Sequence, residues 1–166
     1  MSYLEHFRQV RAFLFDVDGV FTDNEMLVLE NGDLLRKMHV RDGLAVKIAL
    51  SKGYPIGIIT GGKSEGVRIR FANLGIRDIY MGRQEKTDAF EDFLLTYDLD
   101  PAEVLYMGDD LPDYPVMRRV GVPVCPQNAI PELFQIAVYI SPLAGGQGCV
   151  RDVIEQVLKL QQNWVE

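Results

Sequence analysis

Near its start the chain reads Ala12-Phe13-Leu14-Phe15-Asp16-Val17-Asp18-Gly19-Val20-Phe21-Thr22-Asp23. The apolar run predicts a buried strand, and the glycine predicts a turn that leaves two carboxylates at the strand end. Ionised carboxylates two residues apart repel each other, so a divalent cation or a shared proton is expected to compensate them. Asp and Gly are also common in ordinary surface turns, so the interpretation as a functional site depends on the rest of the chain.

Short apolar runs alternate with helical patterns, which is typical of a parallel sheet covered by helices on both faces. The predicted strands are 12–17, 56–60, 79–81, 104–107, 122–124 and 138–140. The predicted helices are 44–52, 64–74, 87–97, 113–120, 131–136 and 150–161. The sequence therefore predicts an α/β fold, a doubly wound, Rossmann-like sheet in a single domain over residues 1–166.

Composition excludes several classes of protein. The chain has 166 residues and a formal charge of -7, which disfavours nucleic-acid binding because that depends on cationic patches. Its apolar stretches are too short to span a bilayer, and its first residues lack the pattern of a leader. Cys125 and Cys149 lack metal-type spacing. We expect a cytoplasmic protein with buried thiols, no nucleic-acid or membrane partner, and a small anionic substrate.

Further polar residues follow other predicted strands. Thr60-Gly61 ends the strand at 56–60, Lys86 precedes a helix, and Asp109-Asp110 follows the strand at 104–107. The carboxyl ends of parallel strands meet at one edge of the sheet. These distant residues are therefore predicted to form one site with the first pair of acids.

The residue types in this set suit phosphoryl transfer from a phosphate ester. Asp16 is the candidate nucleophile, because a carboxylate accepts a phosphoryl group to give a mixed anhydride that water cleaves readily. Asp18 is the candidate acid and base for the leaving oxygen and the hydrolytic water. Thr60, the Gly61 amide and Lys86 are candidates for binding the phosphoryl oxygens.

The same set predicts a metal site. Asp109 offers the further carboxylate that a hard cation needs, and Asp110 and Asp113 are placed to brace it from outside the ligand shell. Mg²⁺ is the natural candidate, because it prefers oxygen ligands and bridges to phosphate, and the set contains no His or Cys cluster.

These motifs, in this order, resemble those of the haloacid dehalogenase superfamily of aspartate-nucleophile phosphatases. The resemblance implies that Asp16 is phosphorylated, that Asp18 is acid and base, and that Thr60 and Lys86 hold the phosphoryl group. It also implies that Mg²⁺ is bound by the carboxylates of Asp16 and Asp109 and the backbone carbonyl of Asp18. The dehalogenases that name the superfamily lack an acid at the position of Asp18, so its presence points to phosphate chemistry.

The spacing leaves no room for the separate cap domain that such enzymes often carry. Residues 24–59 and 61–85 suffice for crossovers and one hairpin insert, at about 24–38, which centres on Asn31-Gly32. The hairpin is unusually apolar, and a two-stranded ribbon is marginally stable alone. We predict that it packs against equivalents from other chains; the alternative is a hairpin folded onto its own domain.

These features are similar to the capless branch that contains the 3-deoxy-D-manno-octulosonate 8-phosphate phosphatases, tetrameric Mg²⁺ enzymes of lipopolysaccharide sugar synthesis. The likeness is carried by Val-Arg-Asp-Gly at 40–43 and Gly-Gly-Gln-Gly-Cys-Val-Arg at 145–151. It implies a homotetramer built on the hairpin and a glycine-rich tail that approaches a neighbouring site. A plain loop before the last helix is the alternative for the tail.

One position departs from that branch. Octulosonate phosphatases usually carry Arg after Thr-Gly, and phosphatases for nonulosonate 9-phosphate usually carry Glu, whereas this chain has Gly62. Octulosonate 8-phosphate is the predicted substrate, and nonulosonate 9-phosphate or another small sugar phosphate is the alternative. The candidate cations for the sugar carboxylate are Arg41, Lys63, Arg68, Arg70 and Arg151, the last from a neighbouring chain.

A phospho-accepting receiver module is the alternative from a different class. It also uses an acidic cluster, a Thr and a Lys on a doubly wound sheet with Mg²⁺. In receivers, however, the acidic pair is adjacent after the first strand and the phosphorylated Asp ends a later strand, whereas here Asp16 and Asp18 flank Val17. An inactive scaffold is a third alternative, which nothing in the sequence supports, because every chemical position is filled.

Overall fold

A computed structural model describes residues 2–164 of the chain. The strands are β1 (Ala12–Phe15), β2 (Leu27–Val28), β3 (Leu34–Leu35), β4 (Ile56–Ile59), β5 (Asp78–Tyr80), β6 (Val104–Met107), β7 (Val122–Cys125) and β8 (Tyr139–Ile140). The helices are α1 (Tyr3–Gln9), α2 (Val40–Ser51), α3 (Glu65–Leu74), α4 (Thr87–Tyr97), α5 (Tyr114–Met117), α6 (Pro131–Phe134) and α7 (Cys149–Leu160), and 3₁₀ turns cover Pro101–Glu103 and Leu111–Asp113.

Six of these strands form one sheet in the order β5-β4-β1-β6-β7-β8, with every neighbouring pair parallel. Successive residues of β1 face opposite sides, because side chains alternate along a strand. Phe13 and Phe15 pack with α1, α2, α3 and α7, while Leu14 packs with α4, α5 and α6. The predicted doubly wound α/β fold is confirmed.

The position of β1 determines where a site can form. The chain adds β4 and β5 on one side of β1 and then crosses to add β6, β7 and β8 on the other. The loops that follow β4 and β6 therefore diverge on either side of the carboxyl end of β1. Such a switch point leaves a crevice, and doubly wound sheets bind their ligands there.

Several boundaries differ from the predicted ones. β1 ends at Phe15 rather than at residue 17, because the carbonyl of Val17 accepts hydrogen bonds from the N–H groups of Val20 and Phe21 and turns the chain. α2 begins at Val40, four residues early. α1 was not predicted from the pattern: Phe7 is its one buried residue, and a capping box from Ser2 begins it.

The predicted hairpin is present as the antiparallel pair β2 and β3, with Leu27 opposite Leu35. The carbonyl of Leu29 accepts from the N–H of Gly32. Gly32 has a φ of 88°, which glycine adopts without the steric cost that a side chain would bring. The large apolar side chains of the hairpin are between 36 and 67 % exposed: Met26, Leu27, Val28, Leu29, Leu34 and Leu35. The domain of the same chain therefore leaves this apolar surface uncovered.

The expected buried thiols are observed in the described part of the chain. Cys125 and Cys149 are free and buried, and burial raises the pKa of the Cys125 thiol to about 12. Between residues 2 and 164, every helix is too short or too polar to cross a membrane. No separate cap interrupts residues 2–164, since only the hairpin and α2 lie between β1 and β4, and only α3 lies between β4 and β5.

Candidate active site

The carboxyl ends of β1, β4 and β6 bring the predicted site residues together. Asp16 directly follows β1, Thr60 follows β4, and Asp109 lies two residues after β6. Lys86 reaches the same place from the start of α4. Together with Asp18, these side chains line a cleft of about 270 Å³. A larger groove of about 600 Å³ lies elsewhere on the chain and contains none of these five residues.

Lys86 is the centre of a buried ionic network. Its Nζ lies 3.0 Å from Asp16 Oδ1 and 2.7 Å from Asp113 Oδ1. Asp113 Oδ1 also accepts from the Tyr106 hydroxyl at 2.6 Å, and Asp113 Oδ2 accepts from the backbone N–H of Asp109 at 2.9 Å. Both carboxylate oxygens of Asp113 are therefore engaged, and they hold Lys86 and the loop after β6 in position.

Burial shifts the ionisation of this network. Burial, and then the nearby charge of Asp113, raises the pKa of Asp16 well above its ordinary value, although Lys86 opposes the shift. Burial alone lowers the pKa of Lys86, but the charges of Asp113 and Asp16 more than offset it, so the net pKa is raised. Lys86 is therefore held as a cation while Asp16 resists ionisation in the absence of further positive charge.

Asp109 is the second acid that burial perturbs. Burial, followed by the charges of Asp113 and Asp110, raises the pKa of Asp109 to about 7. Asn24 donates to Asp109 Oδ2 at 3.2 Å. A Cβ atom on Gly19 would lie 2.0 Å from the same oxygen, and Gly19 has a φ of 84°. Position 19 therefore admits only glycine, because the turn brings its backbone against the Asp109 carboxylate.

The buried acids can hold a divalent cation. Oxygens of Asp16, Asp109 and Asp113 lie within 4.8 Å of one another. Asp113 spends both its oxygens on other donors, whereas Asp16 Oδ2 accepts no hydrogen bond from a described residue. The carboxylates of Asp16 and Asp109 are therefore the ones left for a metal. A cation would offset the charge that burial disfavours, and this all-oxygen cluster suits Mg²⁺.

Asp18 lies at the edge of the cleft and is held by a partner that the sequence did not suggest. Its Oδ1 accepts from Arg36 Nε at 2.6 Å and its Oδ2 accepts from Arg36 Nη2 at 3.3 Å. The Arg36 side chain is 6 % exposed and the Asp18 side chain 24 %. Asp18 therefore keeps contact with solvent while its orientation is fixed by a two-pronged ion pair.

Thr60 and Gly61 form the other wall of the cleft. Thr60 is buried, and its Oγ1 accepts from the backbone N–H of Gly62 at 3.1 Å. The Thr60 hydroxyl proton remains available to an anion in the cleft. The wall thus offers a hydroxyl together with backbone amides, which is the donor set expected for phosphoryl oxygens.

Within one chain, the predicted substrate-binding cations lie outside this cleft, and Arg151 stays a prediction for a neighbouring chain. Arg41 and Arg151 line the larger groove, Arg68 pairs with Glu65, Lys63 packs its methylene groups over Gly82, and Arg70 lies beside Gly43. The cleft is instead lined by polar residues that the sequence analysis did not select: Asn24, Arg36, Arg83 and Gln84. Asp110, predicted to support the metal site, does line it.

No local sequence signal identifies Arg36. It directly follows β3, a strand of the hairpin, and pairs with an acid 18 residues earlier. The hairpin signal predicts the two strands but not the angle at which they leave the domain. A cation at the base of the hairpin does not single out Arg36, because its neighbour Lys37 is also a cation and is mostly exposed.

The haloacid dehalogenase-like hydrolase family model matches residues 61–151. The 3-deoxy-D-manno-octulosonate 8-phosphate phosphatase KdsC of Escherichia coli K12 is 41% identical over 152 residues, which cover 92% of this chain and 81% of that protein. These comparisons relate the chain to hydrolases over most of its length.

Two solved structures resemble the whole fold. The 3-deoxy-D-manno-octulosonate 8-phosphate phosphatase of Yersinia pestis has a TM-score of 0.94 and 34% identity, covering 97% of this chain and 87% of that one. The corresponding phosphatase of Moraxella catarrhalis, solved with a magnesium ion, a phosphate ion and a KDO molecule, has a TM-score of 0.94 and 30% identity, covering 98% and 93%.

Proposed function

The chain belongs to the haloacid dehalogenase-like hydrolases, and on that premise we propose that it hydrolyses 3-deoxy-D-manno-octulosonate 8-phosphate to the free sugar acid and phosphate. The observation that carries the proposal is the buried contact of Asp16 with Lys86, at the point where β1 meets the loops of β4 and β6. Similarity to octulosonate phosphatases over most of the chain supports the substrate.

Mg²⁺ is the proposed cofactor. The carboxylates of Asp16 and Asp109 would hold it, together with the backbone carbonyl of Asp18. Two observations support this fit. Asp113 accepts hydrogen bonds with both its oxygens, so the carboxylates of Asp16 and Asp109 are the members of the buried cluster left to bind an ion. The pKa values of these two carboxyl groups are raised, which a bound cation would offset. When bound, the ion offsets the negative charge that the acids and the phosphate bring together.

Asp16 is the proposed nucleophile. Its carboxylate attacks phosphorus, the bond from phosphorus to the sugar oxygen breaks, and an aspartyl phosphate forms. Water then attacks phosphorus, the acyl phosphate bond breaks, and the carboxylate is regenerated. Lys86 supports both steps, because its ammonium lies 3.0 Å from the Asp16 carboxylate and is fixed there by Asp113.

Asp18 is the proposed acid and base. It gives a proton to the departing sugar oxygen and later takes one from the attacking water, so its own state is restored over one turnover. Its partial exposure and its position two residues after the nucleophile support this role. The Thr60 hydroxyl, the Gly61 amide and Lys86 are the proposed donors to the phosphoryl oxygens.

Octulosonate 8-phosphate is favoured over nonulosonate 9-phosphate, and a phosphatase is favoured over a receiver module. The nonulosonate 9-phosphate phosphatases differ by a side chain after Thr-Gly, and Gly62 matches neither group, so the preference rests on similarity to octulosonate phosphatases. A receiver module is disfavoured, since the family of this chain is one of hydrolases.

The proposed function also includes the association of several chains through the hairpin. We infer a single phosphatase domain in residues 1–166, with the hairpin insert at about 24–38 packing against hairpins of other chains in a homotetramer, and a cytoplasmic location. Exposed leucine and valine side chains on both hairpin strands support the contact between chains. The cleft lacks a cap, so a neighbouring chain is the proposed cover that excludes water.

A phosphate-release screen tests the function. Octulosonate 8-phosphate, nonulosonate 9-phosphate and neutral sugar phosphates are supplied with Mg²⁺ to the native protein and to Asp16→Asn. We expect octulosonate 8-phosphate to rank first and the variant to lose at least about 10⁴-fold in kcat, with an unchanged circular dichroism spectrum. Asp88→Asn, at an exposed site on α4, is the matched control. A preferred neutral sugar phosphate would refute the substrate, and an active Asp16→Asn would refute the nucleophile.

A further inference from the structure

Arg36 is a nearly buried cation in the cleft that the reaction scheme above does not use. Its side chain is 6 % exposed, yet it lines the same cleft as Asp16, Thr60 and Lys86. Lys86 is already engaged by two carboxylates. Arg83 also lines the cleft but is exposed, and an ion pair there would be weakened by water and salt. Arg36 is therefore the cation best placed to bind a second anionic group of the substrate.

The donors of Arg36 are only partly used. Nε and Nη2 donate to the two oxygens of Asp18. A guanidinium has five N–H groups, and no described residue accepts a hydrogen bond from Nη1. Asp18 thus fixes the plane of the guanidinium and leaves some of its N–H groups free to donate to a ligand. A planar group with free N–H donors in a desolvated site is well suited to a carboxylate.

The backbone at position 62 makes room for this arrangement. A Cβ atom on Gly62 would lie 3.5 Å from Arg36 Nη2, 3.4 Å from Thr60 Oγ1 and 3.8 Å from Asp18 Oδ2. These are ordinary van der Waals distances, so a Cβ atom alone would fit, whereas a longer side chain that extends toward Arg36 would compete with the guanidinium for space. Position 62 is therefore a direct neighbour of the guanidinium, and a cation introduced there would lie beside it.

The charge of the cleft explains why such a cation is needed. The cleft is lined by carboxylates of Asp16, Asp18, Asp109 and Asp110. The carboxylate of a sugar acid would be repelled there unless a fixed positive charge met it. A neutral sugar phosphate has no such requirement.

From these observations we propose that Arg36 binds the sugar carboxylate and determines the preference for acidic sugar phosphates. The inference rests on the proposed function, and it adds a residue from outside the predicted catalytic set. It also connects substrate recognition to the hairpin, because Arg36 directly follows β3. The competing explanation is that Arg36 only positions Asp18, in which case its loss would affect all substrates alike.

The test compares two substrates in five proteins. The substrates are octulosonate 8-phosphate and p-nitrophenyl phosphate, which has no carboxylate. The proteins are the native chain, Arg36→Gln, the matched control Lys37→Gln, Gly62→Arg, and the double variant Arg36→Gln with Gly62→Arg. Lys37 is an exposed neighbour of Arg36 that pairs with Asp23 outside the cleft. Thermal melts establish that each protein is folded, and kcat and KM are determined separately.

The ratio of the two kcat/KM values is the decisive quantity. Arg36→Gln should lower kcat/KM for the sugar acid about 100-fold more than that for p-nitrophenyl phosphate. Both substrates lose the orientation of Asp18, but only the acid also loses charge-assisted hydrogen bonds to its carboxylate. Lys37→Gln should leave the ratio within about twofold of native. Gly62→Arg alone should lower kcat/KM for both substrates. Added to Arg36→Gln, it should raise kcat/KM for the sugar acid by at least about tenfold over that of Arg36→Gln alone.

The outcomes separate this inference from the proposed function. A native protein with no preference for the sugar acid would refute the proposed substrate, whatever Arg36 does. A native preference that survives Arg36→Gln would refute only the role of Arg36. Equal losses on both substrates would refute the recognition role and assign Arg36 to the positioning of Asp18.

Discussion

Lys86 Nζ lies 3.0 Å from Asp16 Oδ1, and both side chains are almost completely buried. The lysine therefore stabilises the fold as well as serving the reaction. Its removal would leave Asp16 and Asp113 as buried acids without a cation, and such a loss is costly because neither carboxylate can recover its hydration.

We predict that Lys86→Met lowers kcat by at least about 10³-fold, because the phosphoryl group loses a fixed cation. Without added metal, its free energy of unfolding at pH 7.5 should fall by about 3 kcal/mol. The deficit should shrink at pH 5, because Asp16, whose pKa is raised by burial, is protonated more readily there. Urea denaturation at both pH values measures this, with the exposed Lys47→Met as control. A deficit independent of pH would show that the lysine acts by packing alone.

A second prediction concerns metal-free protein and pH. Asp109 has a pKa raised to about 7 by burial and by neighbouring acids. Between pH 4 and 7 the native protein then holds a proton that the unfolded chain has released, so stability should fall as pH rises through this range. Mg²⁺ should reverse the fall, because it replaces the proton as the compensating charge.

Mg²⁺ binding should therefore release protons. We expect the apparent Kd to increase by up to about tenfold for each pH unit below 7 and to be constant above it, because a proton then competes with the ion for Asp109. Calorimetry in two buffers with different ionisation enthalpies counts the protons released. Asp109→Asn should bind Mg²⁺ much more weakly. A Kd that is constant between pH 5.5 and 7.5 would contradict the assignment of Asp109 as a ligand that must ionise.

The sequence was sufficient to predict the sheet and the meeting of its strand ends. Buried parallel strands are continuous apolar runs, and acids directly after β1 and β6 stand out against them. Asp16, Thr60, Lys86 and Asp109 do line one cleft. The prediction worked because topology alone fixes which strand ends are neighbours.

The features that escaped prediction depend on side-chain packing across long separations. Arg36 reaches Asp18 only because the hairpin leans over the loop after β4, and nothing in residues 24–38 sets that angle. Arg41, Lys63, Arg68 and Arg70 lie outside the cleft of their own chain for the same reason, since a helix pattern does not say where a long side chain ends. α1 has a single buried side chain, which is too weak a periodicity to predict a helix.

The third prediction concerns assembly. Leu27 and Leu29 are apolar and exposed on the hairpin, so Leu27→Ser with Leu29→Ser should dissociate the proposed homotetramer into smaller species without unfolding the domain. Light scattering after size exclusion measures the mass. Leu95→Ser is the matched control, because Leu95 is 84 % exposed on α4, away from the hairpin. A native protein with the mass of one chain would refute the assembly.

The last prediction concerns Asp42, which caps a helix that has no capping side chain of its own. α7 follows Gly148, and Asp42 Oδ1, from the first turn of α2, accepts from the Arg151 N–H at 2.8 Å. Asp42 is fully buried, and no residue in the described part of the chain donates a hydrogen bond to its Oδ2. Burial therefore raises its pKa to about 6, although the hydrogen bond from Arg151 opposes the shift. Ionised Asp42 therefore stabilises α7 through the hydrogen bond at Oδ1, but the buried charge at Oδ2 lacks a compensating hydrogen bond and lowers the stability of the native state.

Asparagine and alanine separate these two effects. Asp42→Ala removes the acceptor and should lower the free energy of unfolding by about 1–2 kcal/mol at pH 8. Asp42→Asn keeps an acceptor and carries no charge. The raised pKa of Asp42 predicts that this residue costs the native protein stability as pH rises from 4 to 6, where only the unfolded chain has released the proton. Asp42→Asn should therefore gain relative to the native protein over that range and be at least as stable at pH 8. Urea denaturation at pH 5 and 8 measures both variants, and an Asp42→Asn as unstable as Asp42→Ala would show that α7 requires the charge itself.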